Sequence, residues 1–173
     1  MKSTASFLVT LMLECALMGM AIATSASAQS QSPPSFHIPH QLVGSWLVTY
    51  DVQAFGVPIP ILLSFGRDGV MIETDSPAPT PVGSLGVLIL SNGHGAWPPM
   101  GGGEFAYLYR KLIYQKDGFT PFGTTRTSAT GSTGTDGTQI EATLLIEFLD
   151  TSGTVVLSTT GTATGTRIQV EQP

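Results

Sequence analysis

The chain has 173 residues and a formal net charge of −5, with only 11% charged side chains. That length suits one domain. The acidic balance argues against nucleic-acid binding, which needs a basic stripe to neutralise phosphates, and against anionic membrane surfaces. The single cysteine, Cys15, lies near the N-terminus, so residues 29–173 contain none and a disulfide framework is excluded there.

Residues 1–28 read as a cleavable secretory signal peptide. Lys2 supplies a positive start, Phe7 to Ile22 is an apolar stretch, and Ala26-Ser27-Ala28 is a small-x-small cleavage site. Glu14 interrupts the apolar stretch, which opposes a membrane span. The expectation is an exported protein, periplasmic or extracellular, with no membrane insertion after cleavage. Residues 29–40 are polar and Pro-rich and read as a flexible arm, and residues 41–170 as one domain. His37 and His40 fall in the arm. With no third ligand near them they do not make a metal site, and no metal or cofactor is expected.

From Trp46 to Val52 the residues are β-branched and aromatic, a strand pattern. After a loop with Pro58 and Pro60, Ile61–Phe65 and Val70–Thr74 form a hairpin around Gly66-Arg67-Asp68-Gly69. Ser76 to Pro81 contains three prolines, which donate no backbone hydrogen bond, so no regular ladder is expected there. Leu85 to Leu90 fits either a strand or a helical turn, and Asn92 to Gly103 reads as a glycine- and proline-rich loop.

Phe105 to Gln115 is a long strand, with Phe105, Tyr107, Tyr109, Lys111 and Ile113 on one face. Lys116-Asp117-Gly118 turns it into Phe119 to Thr130. Gly134-Thr135-Asp136-Gly137 then leads to Gln139–Leu149, and Asp150-Thr151-Ser152-Gly153 to a last strand, Val155–Val170. The sum is all-β, with seven or eight antiparallel strands in an up-and-down meander. Such a meander leaves two sticky edges unless it closes, so a small barrel of about eight strands is expected, a two-sheet sandwich being the alternative.

Gly44-Ser45-Trp46 opens the first strand and Arg167 lies near the end of the last. This arrangement resembles the lipocalin-like, or calycin, barrels, and the whole also looks like small exported bacterial proteins of that barrel type. The resemblance implies that Trp46 closes the barrel bottom and that Arg167 packs across it as a cation–π pair, with Gly44 completing the closure. It also implies an interior able to hold one small ligand.

The candidate ligand-binding residues are His94, Trp97, Tyr107 and Tyr109. His94 and Trp97 sit among glycines that let a backbone approach a ligand; the bland reading is a turn with an aromatic plug. Haem ligation by His94 has no second feature to support it. Tyr107, Tyr109 and Lys111 line either a polar-tipped cavity or the outer face. Gly161, Ala163 and Gly165 share Arg167's face and either leave interior volume or simply let the strand coil. Glu73, Asp75, Glu104, Glu141, Glu147 and Asp150 read as a solvated set, and Arg126 as a surface residue.

No G-x-S-x-G elbow, P-loop or dinucleotide fingerprint occurs. The expected function is binding of a small apolar molecule inside the barrel. The alternatives are an isomerase or cyclase using His94, Glu104 or a tyrosine for proton transfer, and an envelope-associated protein with a filled core.

Overall fold

The computed structural model describes residues 41–76, 78–98 and 100–169. The expected signal peptide, the arm and its two histidines lie outside the described residues.

Ten strands run in chain order: β1 Gly44–Val52, β2 Ile59–Phe65, β3 Val70–Thr74, β4 Thr80–Val82, β5 Gly86–Leu90, β6 Gly93–Ala96, β7 Glu104–Gln115, β8 Pro121–Thr133, β9 Gln139–Asp150 and β10 Val155–Arg167. All pairings are antiparallel. β1 pairs with both β2 and β10, and β7 pairs with β6 and β8, so the sheet closes on itself. The closed ring runs β1-β2-β3-β6-β7-β8-β9-β10, an eight-stranded up-and-down barrel. Closure removes the exposed edges that a meander of such long strands would otherwise carry.

β4 and β5 continue this ring past one rim. β5 and β6 both pair with β7, β6 opposite Leu108–Arg110 and β5 opposite Ile113–Gln115. They are one strand broken at Ser91-Asn92. The Ser91 hydroxyl accepts from the Leu112 amide at 2.9 Å and bridges the break.

One open alternative is resolved and two local expectations are corrected. Leu85–Leu90 resolves into a single 3₁₀ turn, Gly83–Leu85, followed by strand β5. The Asn92–Gly103 loop contains strand β6. The proline-rich stretch does hold a short ladder, at β4. Pro81 is tolerated there because β4 is an edge strand, paired with β5 alone.

Aspartates fix the hairpins. Asp68 accepts from the Val70 amide, Asp117 from Phe119 and Thr120, Asp136 from Thr138, and Asp150 from Ser152 and Thr154. In each case the short side chain replaces a ladder partner that the turn removes.

The core fills the barrel from one end. Trp46, Leu63, Phe65, Met71, Trp97 and Phe105 are buried there. Phe65 and Trp97 meet edge to face at 5.8 Å. Arg167 seals this end: its Cζ lies 4.3 Å from the Trp46 ring centroid. Its Nε donates to the Gly137 carbonyl at 2.8 Å, Nη1 to the Val43 carbonyl at 2.7 Å, and Nη2 to the Gln41 carbonyl. Trp46 Nε1 donates to the Leu42 carbonyl at 2.9 Å. Gly44 has φ +130°, and a Cβ there would stand 2.8 Å from Arg167 Nη1. The G-x-W spacing therefore has a steric cause: the glycine leaves room for the guanidinium that covers the tryptophan.

Candidate functional site

β7 presents a file of side chains to the interior, and their character changes along the strand. Phe105 stacks on Tyr107 at 6.1 Å, and Tyr107 on Tyr109 at 6.1 Å. Lys111 comes next on the same face. The aromatic rings belong to the sealed end and the ammonium to the other end.

At mid-height three tyrosine hydroxyls meet. Tyr50 Oη lies 2.8 Å from Tyr107 Oη, and Tyr109 Oη makes a longer contact of 3.5 Å to Tyr50. Burial pushes all three phenols well above their ordinary pKa, because a phenolate would be poorly solvated there.

Above the tyrosines lies an ionic cluster. Lys111 is 5% exposed and Glu73 0%, so neither charge is solvated by bulk water. Lys111 Nζ stands 2.8 Å from Glu73 Oε1 and 2.5 Å from Asp75 Oδ2. The contact to Asp75 is a directed hydrogen bond. Glu73 Oε1 is ion-paired with the same ammonium. Its other oxygen, Oε2, accepts from the Gly93 amide at 3.1 Å. Burial raises the Glu73 pKa to about 7, with Lys111 opposing the shift.

This cluster floors a cavity, together with Tyr50, Tyr109, Thr125 and Thr127. Its walls are apolar: Phe55, Ile59, Ile61, Leu90, Ile146 and Phe148. The cavity is a narrow space of about 30 Å³. Thr125 is 1% exposed, and its hydroxyl has no hydrogen-bond partner among the described residues.

The four expected ligand contacts separate. Tyr109 lines the cavity, and Tyr107 lies one layer deeper, bonded to Tyr50. Trp97 is buried near the sealed end, where its Nε1 donates to the Gly66 carbonyl at 3.0 Å. It is an aromatic plug away from the cavity. His94 is exposed, paired across β6 with Ile72 and Arg110.

Strand parity explains His94: its neighbours Gly93 and Gly95 take the inward positions. A Cβ at Gly93 would come within 2.6 Å of the Tyr109 ring and 2.8 Å of Glu73 Oε2. At Gly95 it would reach 2.0 Å from the Leu108 carbonyl oxygen and 2.6 Å from Tyr109. These glycines clear space for Tyr109 and Glu73.

Glu73 is therefore a correction, since a solvated position was expected. In Val70-Met71-Ile72-Glu73 both parities carry apolar residues, and the apolar pair Val70 and Ile72 faces outward. The signal that identifies the inward pair is the hairpin register. Phe65 pairs with Met71 and Leu63 with Glu73, so the inward parity of β2 carries over to Glu73.

Gly161, Ala163 and Gly165 do face inward with Arg167, but they leave no cavity. A Cβ at Gly161 would come within 2.7 Å of Val52 Cγ2, and one at Gly165 within 2.7 Å of Val48 Cγ2. Their role is close strand approach. Arg126 pairs with Glu147 at 2.6 Å on the outer face, and Glu104 and Glu141 are exposed.

No family model, no curated protein and no solved structure matches this chain.

Proposed function

We propose that this is an exported lipocalin-like barrel that holds a small, slender, mainly apolar molecule in its interior. The observation that carries the reading is the cavity itself, with six apolar side chains standing over a buried polar floor. Sites for small ligands have this composition, apolar walls for affinity and a few fixed polar groups for orientation. The narrow bore favours a chain over a fused ring system. The lipocalin-like assignment draws its support from Gly44, Trp46 and Arg167 at the sealed end. Export rests on the signal-like residues 1–28.

The test is native mass spectrometry of the protein as its host processes it. The expected result is a mass lacking residues 1–28 and a retained small-molecule adduct that is lost in Ile146→Trp, which fills the cavity. A clean apo mass, with no thermal stabilisation by short-chain alcohols or amines, would overturn the binding reading. An unprocessed mass would overturn export.

One observation favours a second reading. Glu73 is a buried carboxyl whose pKa of about 7 suits general acid–base work, and it borders a cavity. An isomerase-type enzyme would use Glu73, with Lys111 positioning it. Turnover of a bound compound that is abolished in Glu73→Gln, with binding retained, would select this reading.

A further inference from the structure

The polar floor carries information about the ligand's head group. This inference rests on the interior-binding reading above.

Lys111 would be the natural partner for a ligand carboxylate, but its ammonium is already held between two carboxylates, at 2.5 Å from Asp75 and 2.8 Å from Glu73. The three charges sum to −1 when both acids are ionised. A third carboxylate would meet a net negative field in a site with little water to screen it. It would also have to displace one of the existing partners.

Two buried polar atoms in the cavity lining keep hydrogen-bonding capacity among the described residues: Glu73 Oε1, which faces Lys111 Nζ at 2.8 Å and has a second lone pair, and Thr125 Oγ1, which has no partner. Both residues are almost wholly buried, at 0% and 1% exposure. The first is a carboxyl oxygen that accepts. The second is a hydroxyl that both donates and accepts. An unsatisfied buried hydroxyl is costly, so a ligand that satisfies Thr125 and adds a donor to Glu73 gains affinity and orientation at once. An alcohol hydroxyl donates to Glu73 and accepts from Thr125. A primary ammonium donates to both and also cancels the residual negative charge.

We infer that the barrel takes a slender apolar molecule ending in a hydrogen-bond donor, an alcohol or a primary amine, and discriminates against a carboxylate. The apolar tail lies along Ile61, Leu90, Ile146 and Phe148, and the head sits between Glu73 and Thr125.

The test compares 1-hexanol, hexylamine and hexanoate, three ligands with one tail, by isothermal titration calorimetry at pH 8. The alcohol and the amine are expected to bind about tenfold or more tighter than hexanoate, the size of effect that one buried hydrogen bond supplies. Thr125→Val should weaken both and Thr125→Ser should restore them, which separates the hydroxyl's role from packing. Glu73→Gln gives a second, independent removal, and it should narrow the gap by improving hexanoate. Hexanoate binding as tightly as the other two would overturn the head-group inference and leave the interior-binding reading standing. Failure of all three to bind would overturn the interior-binding reading, and this inference with it.

Discussion

Arg167 covers Trp46 at 4.3 Å only because residue 44 has no side chain: a Cβ there would stand 2.8 Å from the guanidinium. Cation–π attraction and three carbonyl acceptors hold the arginine in place. Trp46→Ala empties the centre of the sealed end and should cost about 3–5 kcal/mol. Gly44→Ala adds both a clash and an unfavourable φ and should cost about 1–3 kcal/mol. Denaturant melts measure both. A wild-type midpoint for Trp46→Ala would remove that residue from the closure.

Glu73 should make stability depend on pH. Its pKa rises from 4.5 unfolded to about 7 folded. The native state thus binds its proton more tightly. The contribution is fully present below about pH 4.5 and is lost as pH rises through 7, with a total of about 3 kcal/mol. Glu73→Gln cannot titrate. Relative to wild type, that variant should gain stability steadily between pH 5 and pH 8 in urea melts. Parallel curves for the two proteins would show that Glu73 is not buried as described.

Lys111 and Glu73 should be strongly coupled. Lys111→Met leaves two carboxylates facing each other without their cation, and loss of one member of a buried pair costs about 3–5 kcal/mol. Lys111→Met/Glu73→Gln removes one of those charges and should recover part of the loss. A double-mutant cycle with no coupling energy would mean that the two groups do not interact.

Two adjacent positions of β6 should respond differently. Gly93→Ala drives a methyl into Tyr109 and Glu73 and should destabilise by about 1–3 kcal/mol. His94→Ala, one residue on, faces solvent and should change stability by less than about 0.5 kcal/mol, with no effect on ligand binding. Loss of binding in His94→Ala would restore the histidine to the site.

How much of this was legible beforehand differs by element. β7 and β9 alternate so regularly that strand, face and turn can all be read from the chain. Trp46 and Arg167 were legible as a pair through the resemblance to lipocalin-like barrels, and the two residues do pair across β1 and β10. Glu73 was not, because β3 is apolar on both parities and the outward pair is the more hydrophobic. Trp97 and His94 were read as one cluster by proximity in sequence. Strand parity separates them: His94 on β6 faces outward, and Trp97, just past the end of β6, is buried in the plug.

Taken alone, the sequence determined an all-β meander long enough to close, with turns marked by aspartate and glycine. These follow from local rules, because alternation and turn chemistry act over a few residues. Only the tertiary structure decided which parity of each strand points inward. That choice depends on register passed from strand to strand around the closed sheet, and it places Glu73, Lys111 and Thr125, from three different strands, around one cavity.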